Sequence, residues 1–496
     1  MHVGIKVVSL DDTLPYNVAM EPSAGASLSA SIAFFAWPIV AIFFFTRRPF
    51  DHAIIWTVLG ALLLLPAQVA IKFPMIPAID KNSVASVSAL FCCLLFARAQ
   101  DVPRSKSRLV GALSIIYVFS PVMTSMLNND DIVIGARILP GVGYYDGVSA
   151  LLSQSISFAP YLIARRFLRK TAQQYGILQG LTIGGFIISF PMLFEMRMSP
   201  QLSSWIYGYF SSSFPAEMRN GGFRPVVFMT NGLMASFFLS TAFIAAVGLS
   251  RLKIRPVSRR PLGLAVYLGI VLVLCKSAGA LIYGIVLGPL VRWTTPRRQI
   301  HVAVVLAGVA LLYPVLRLTF LFPTEELVAV SSTFSEERAG SLKFRFDQED
   351  ALLSHASERL LFGWGRYGRN RVYWETGDEA SVTDGLWIIT LGQFGLVGFI
   401  SQFGLFVLPV FYAFGAIRRL SDPSERLLLA TLAIIVAITA VEQLPNSSIS
   451  TWSWLLSGAL LGRAEHVRKS ADVHAATQMN RSSERPSKVT RREWDD

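Results

Sequence analysis

Charge is what this sequence has least of. Only 16% of its 496 residues are Asp, Glu, Lys or Arg, against roughly a quarter in soluble globular chains. With 53% hydrophobic residues and a mean hydropathy of +0.49, that shortage argues against a cytosolic enzyme, a disordered chain or a nucleic-acid-binding domain. Cysteine is nearly absent too. Cys92, Cys93 and Cys275 lie in or at the end of apolar runs, which fits small buried hydrophobes and neither a disulfide framework nor a metal site. The six histidines are scattered, and no Asp-x-Asp stands in a short outer loop, where a metal-dependent lipid-sugar transferase would carry it. No metal and no cofactor are expected. The stretch 1–30 lacks a basic segment followed directly by an apolar run and a cleavage site, so it does not read as a cleavable signal peptide.

What the chain has is long apolar runs. A membrane-spanning helix needs about 20 mostly apolar residues, and candidate spans fall at 28–45, 54–71, 83–97, 109–127, 147–164, 176–194, 225–249, 262–275, 278–292, 300–320, 385–417, 427–443 and 452–462. The expected fold is an all-α polytopic membrane protein of about 12–13 transmembrane helices. Its organisation would be an extracytoplasmic segment at 1–27, a transmembrane domain at 28–462 with a large outer loop at 321–384, and a disordered cytoplasmic tail at 463–496. The net charge of +13 is not a nucleic-acid signal, because its distribution follows the spans. Arg47–Arg48, Arg104/Lys106/Arg108, Arg165/Arg166/Arg169/Lys170, Arg251/Lys253/Arg255/Arg259/Arg260, Arg297–Arg298, Arg418–Arg419 and the tail from Arg463 all fall on one side. The positive-inside rule makes that side cytoplasmic. The N-terminus is then outside and the C-terminus inside.

Gly176, Gly180 and Gly184 form a small-xxx-small row suited to close helix packing. Gly392, Gly395 and Gly398 predict close packing or a bend in the 385–417 run. In the outer loop, 341–361 has helical periodicity, with Leu342, Phe346, Leu353, Ala356 and Leu360 on a common side and Arg345–Glu349 as an i,i+4 pair. This helix is expected to cap the bundle. "GWGRYG", Gly363 to Gly368, matches G-x-G-x-x-G literally. It lacks the preceding strand and following helix of a dinucleotide site, and reads as a glycine turn behind a membrane-surface helix. Asp347, Glu349 and Asp350 read as a solvated face, with a divalent metal as the sharper alternative. Asn128–Asn129–Asp130–Asp131 reads as a turn.

The basic residues left on the outer side resist a topological explanation. Arg224 stands in "GGFRPVVFM" at the outer start of a helix. Lys276 stands in "LCKSAGALIYG" at a tight turn between two short helices. Arg345 opens the amphipathic loop helix, and Arg366, Arg369 and Arg371 surround the glycine turn. Each alone is compatible with a snorkelling or salt-bridged role. Together they suggest an anion site at the outer membrane surface under a protein cap. A lipid diphosphate suits such a site, because its oxygens match guanidinium forks and fixed cations stabilise it as a leaving group. In that reading Arg224, Lys276 and Arg345 bind diphosphate, while Arg366 and Arg369 contact glycan. Asp384, in "SVTDGLW", is positioned in sequence to be a general base. It is equally suited to cap the helix beginning near Gly385.

In these residues the chain resembles the bacterial O-antigen ligase and polysaccharide polymerase family of polytopic membrane glycosyltransferases. Four stretches carry the resemblance, over about residues 220–462: "GGFRPVVFMTNGLMASFFLSTAFIA", "LVLCKSAGALIYGIVLGPL", "ASERLLFGWGRYG" and "VTDGLWIITLGQFGLVGFI". The resemblance implies that Arg224 matches the outer-loop arginine that binds the lipid-diphosphate donor. Lys276 falls where the family usually shows Ser-Arg, keeping the cation without the bidentate fork. Asp384 falls near the family's His-Asn step. The implied activity is metal-independent glycosyl transfer at the outer face of the bacterial inner membrane. The donor would be an undecaprenyl-diphosphate-linked glycan, and the acceptor a hydroxyl of a second glycan or of a lipid core. The partners implied are those two substrates and membrane lipid. A flippase for lipid-linked oligosaccharide is the alternative, and a membrane scaffold a third. A flippase should carry charge along a central cavity, whereas here the charges of interest, with Glu442 and Arg317 near outer helix ends, cluster outside.

Overall fold

The computed structural model describes residues 27–71, 77–97, 107–219, 221–252, 261–333 and 335–483. The extracytoplasmic segment expected at 1–27 lies almost wholly outside them, as do Arg104, Lys106, Lys253, Arg255, Arg259, Arg260 and the last stretch of the tail. The helices in chain order are α1 (Leu28–Arg47), α2 (Phe50–Leu64), α3 (Lys81–Phe96), α4 (Arg108–Met126), α5 (Tyr144–Phe167), α6 (Thr171–Met198), α7 (Leu202–Tyr207), α8 (Phe214–Glu217) and α9 (Gly232–Ser250). They continue with α10 (Pro261–Leu274), α11 (Ala278–Trp293), α12 (Pro296–Leu318), α13 (Thr324–Ser332), α14 (Glu336–Glu358), α15 (Leu386–Ile417), α16 (Pro423–Glu442) and α17 (Thr451–Ser483). Sheet among the described residues is confined to three antiparallel hairpins: β1 (Ala70–Ile71) with β2 (Ile79–Asp80), β3 (Ile132–Ile134) with β4 (Arg137–Leu139), and β5 (Met218–Arg219) with β6 (Gly222–Phe223). The fold is therefore all-α and multi-pass.

Among the described residues, eight helices are long and apolar enough to cross a membrane, and four shorter apolar helices accompany them. A helix sits in every candidate span. Helices α9 and α16 are the most enclosed, while α1, α4 and α12 turn much of their surface outward. Close approach between α6 and α2 depends on the glycine row: side chains at Gly176, Gly180 and Gly184 would meet Ile55, Leu59 and Leu63 at 3.0 to 3.5 Å. The last helix departs from expectation. It does not stop at 462 but continues to Ser483, and Arg463 is buried in a salt bridge to Glu425 at 3.2 Å. The disordered tail read from the sequence is thus helical as far as Ser483.

The two ends of the bundle differ chemically. At one end, Arg165 pairs with Glu465 at 2.7 Å, Thr171 donates to Glu425, Arg419 pairs with Asp472 at 2.7 Å, and Arg251 donates to the Thr294 carbonyl at 2.8 Å. Together with the Phe50–Phe167 and His301–Phe414 ring contacts and the Ser107–Tyr412 hydrogen bond, these contacts gather the described basic loops at a single end. The opposite end holds the hairpins and the 319–385 connection.

That connection is anchored by the glycine motif in a way periodicity did not reveal. Helix α15 is broken at Gly395, whose φ of 65° and ψ of −166° leave the helical region. Broken backbone in an apolar bundle must find partners within the protein. The 360–365 stretch supplies them: the Trp364 and Gly365 N–H groups donate to the Gly392 and Gln393 carbonyls at 2.8 and 3.0 Å, and the Leu396 and Val397 N–H groups donate to the Leu360 and Leu361 carbonyls. A Cβ at Gly395 would lie 2.2 Å from the Leu361 backbone, and one at Gly363, where φ is +69°, would lie 2.5 Å from that of Gln393. Both glycines are required by close backbone approach. Thr124 and Asn128 of the α4 end bind the Phe362 and Gly363 carbonyls, so the expected turn at 128–131 is an anchor for this stitch.

Candidate functional site

Two groups of the residues singled out in sequence lie at the end away from the basic loops. The first surrounds Arg224. This residue is not at the start of a helix, since α9 begins only at Gly232 behind an Asn231 N-cap. It follows the β5–β6 hairpin, and its N–H donates to the Glu217 carbonyl at 2.8 Å. Its side chain is buried, 8% exposed, with Nη1 3.6 Å from Oε2 of Glu217. The other Glu217 oxygen accepts from Ser212 and from the Gly232 N–H at 2.6 and 3.1 Å. Burial lowers the pKa of Arg224 from its ordinary value, while Glu217 opposes that shift. The turn just after Arg224 is fastened by Glu195 of α6, which accepts from the backbone N–H groups of Leu202, Val226 and Val227 at 3.0, 2.8 and 2.7 Å. Lys276 lies at the expected turn between α10 and α11, with a φ of 54°. It donates to the Arg219 carbonyl at 3.2 Å, which brings it against the same hairpin.

The second group lines a cavity of about 220 Å³ between α14, the ends of α12 and α16, and the start of α15. That is smaller than the roughly 300 Å³ at which pockets begin to enclose a whole drug-sized ligand. Arg345 and Asp384 face each other there at 3.7 Å, 40% and 42% exposed. Arg345 stands in the middle of α14 rather than at its start. It does not pair with Glu349 as the i,i+4 spacing suggested. Glu349 instead accepts from Tyr313 at 2.6 Å and from Arg317 at 3.1 Å, and Arg317 also pairs with Asp350 at 2.9 Å. Glu349 thereby pins α14 onto α12, while Asp347 and Asp350 keep the exposure read for this face from the sequence. No group of three or more potential metal ligands occurs among the described residues. The apolar side of α14 buries Phe346, Leu353 and Ala356 as its period requires.

Asp384 does not cap α15. The N-cap is Gly385, and no side chain caps the helix. The carboxylate is left to Arg345 and the cavity. Burial raises its pKa above the usual aspartate value, with Arg345 partly opposing.

The arginines around the glycine turn do not join either group. Arg369 is 1% exposed and clamps the loop, donating to the Trp364, Asp130 and Pro140 carbonyls at 3.1, 2.7 and 3.1 Å. The glycan-contact role expected of it is corrected to a structural one. Arg371 is buried against Glu379 at 2.9 Å. Arg366 places its guanidinium over the Phe394 ring, near Tyr117 and Asp146, away from the cavity.

No family model and no curated protein matches this chain.

Sequence reasoning missed Glu195 and Glu217, and weighed Glu442 only for its place near a helix end. Glu442 is buried and accepts from Asn446 at 2.7 Å and from Tyr283. It has Arg345 of the second group as an electrostatic neighbour. The available signal was a carboxylate within or closing an apolar span, which is costly unless partnered.

Proposed function

We propose that this chain is a glycosyltransferase of the bacterial O-antigen ligase and polysaccharide polymerase type. It would polymerise or ligate undecaprenyl-diphosphate-linked oligosaccharides at the outer face of the inner membrane, with its N-terminus outside and its C-terminus cytoplasmic. One observation carries the reading. Arg224, Lys276, Arg345 and Asp384, far apart in sequence, lie at the bundle end opposite the basic loops, which the positive-inside rule makes the outer end.

In this reading an acceptor hydroxyl oxygen attacks the anomeric carbon of the lipid-linked sugar as the bond from that carbon to the diphosphate oxygen breaks. Asp384 takes the hydroxyl proton, and its raised pKa favours that role. The cations stabilise the charge gathering on the departing lipid diphosphate. The test is the profile of lipid-linked and finished glycans in cells lacking the protein. These are complemented with wild type, Arg345→Ala or Asp384→Asn, each checked for equal membrane abundance. Single repeat units accumulating without long chains identify a polymerase, and long chains stranded on the carrier identify a ligase. Unchanged pools, or units stalled facing the cytoplasm, overturn the transferase reading, the latter in favour of a flippase.

A further inference from the structure

Membrane spans turn apolar surface to lipid and end at an interface where Trp and Tyr collect. At the site end that level is marked by exposed Tyr144 and Tyr145 at the start of α5 and by exposed Trp205 just beyond α6. Helix α12 faces outward through Val305, Val309, Leu312 and Val315. Its apolar surface does not stop where the helix does. Phe320 and Leu321 are 84% and 72% exposed. Leu327 and Val330, one turn apart on α13, are exposed as well, and α14, which packs on α13, adds Phe344. None of the residues of α13 is buried against the protein, although Glu325 and Glu326 give it a polar first turn. A contiguous apolar patch of this kind requires a nonpolar neighbour, and an amphipathic helix at a span end finds one in the bilayer. Phe344 also lines the cavity, together with Phe322 and Leu342, next to Arg345.

We propose that 320–330 and Phe344 form a foot lying in the lipid interface, and that the cavity opens along this foot. An anionic amphiphile then reaches Arg345 from the bilayer rather than from water. Continuity with the outward apolar face of α12 selects lipid over a protein partner or a second copy. The foot depends only on the membrane spans. The entry route rests on Arg345 as an anion-binding residue.

The experiment uses the full-length protein in phospholipid nanodiscs. An environment-sensitive dye is attached at Phe320→Cys, Val330→Cys or Leu342→Cys, with Glu325→Cys, on the helix side away from Leu327 and Val330, as the polar-face control. The three native thiols are buried, so unlabelled-site protein serves as background. Doxyl-labelled phospholipid quenches from the lipid side and iodide from the water side. The expected result is blue-shifted emission at 320, 330 and 342, lost to doxyl lipid and spared by iodide, with the reverse at 325. Iodide quenching at all four without doxyl quenching overturns the foot and makes the patch a site for a protein partner. Doxyl quenching at 320 and 330 with iodide quenching at 342 keeps the foot and overturns lateral entry. A variant that does not elute like wild type is replaced by Leu327→Cys. None of these readouts involves glycan chemistry, so failure of the transferase reading leaves them unchanged.

Discussion

The Arg224 socket and the Arg345–Asp384 cavity put the same charges to opposite structural use. Arg224 and Glu217 are both nearly inaccessible, and the backbone around them is fastened by Glu195 and Gly232. Arg345 and Asp384 are about two-fifths exposed and meet across a cavity. A buried pair is costly to break because the survivor is left as an uncompensated charge, whereas an exposed pair contributes little to stability. The lesson is that a cation at a candidate site is not one kind of object. In the socket, stability and chemistry are bound together. In the cavity they can be separated by mutation.

The sharpest way to break this contrast is Glu195→Ala. It strands the buried Val226 and Val227 donors and the half-buried Leu202 donor, each buried one worth about 1–3 kcal/mol, and is expected to cause the largest loss in thermal stability of the purified protein. Glu195→Gln, which keeps one acceptor oxygen, should fall between. A wild-type unfolding temperature for Glu195→Ala would show that the socket is not held from α6. Next comes Arg224→Ala, expected to lower stability by about 3 kcal/mol and to abolish glycan assembly. Adding Glu217→Gln should restore most of the stability and none of the activity. If activity returns with stability, Arg224 is structural only.

The cavity pair should behave in the other way. Arg345→Ala and Asp384→Asn are expected to change stability by less than about 1 kcal/mol while glycan assembly is lost. The pH dependence sharpens this. Because burial raises the pKa of Asp384 above 3.8, its ionisation opposes folding. Its contribution to stability is fully present below the ordinary aspartate value and is lost as pH rises through the raised one. Activity that needs the carboxylate should fall on acidification at a pH above the usual aspartate range. Any activity remaining in Arg345→Ala should fall at a still higher pH, since the guanidinium that lowers the pKa is gone. An acid limb that does not move would remove Arg345 from contact with the base. The smallest effects are expected at Lys276. Lys276→Arg should retain activity. Lys276→Gly relieves a left-handed backbone strain of about 1 kcal/mol, so its stability should stay close to wild type while activity drops.

The helices were legible because their signal is local: a run of apolar residues needs no partner to be read. Each of the thirteen candidate runs contains a helix, and eight of the helices are long and apolar enough to cross a membrane. The amphipathic face of α14 was legible for the same reason. Its charge pairing was not. Arg345 and Glu349 have the right spacing to bond to each other, yet each finds a better-placed partner from another element, Asp384 for one and Arg317 with Tyr313 for the other. The i,i+4 pair is worth a few tenths of a kcal/mol and yields to any buried alternative. Arg369 shows the same limit, since nothing in its neighbours announces that the remote Asp130 and Pro140 carbonyls converge on it along with that of nearby Trp364.

The amino-acid sequence alone determined that this is an all-α multi-pass membrane protein and which loops are basic, because hydropathy and charge are sums over neighbours in the chain. Tertiary structure decided which charges are available for chemistry. Asp384 faces Arg345 because Gly385 takes the cap position. Gly395 breaks α15 because the 360–365 backbone is present to complete its hydrogen bonds. Whether a group is exposed, paired or buried depends on distances between segments remote in sequence, and those distances exist only once the helices have packed.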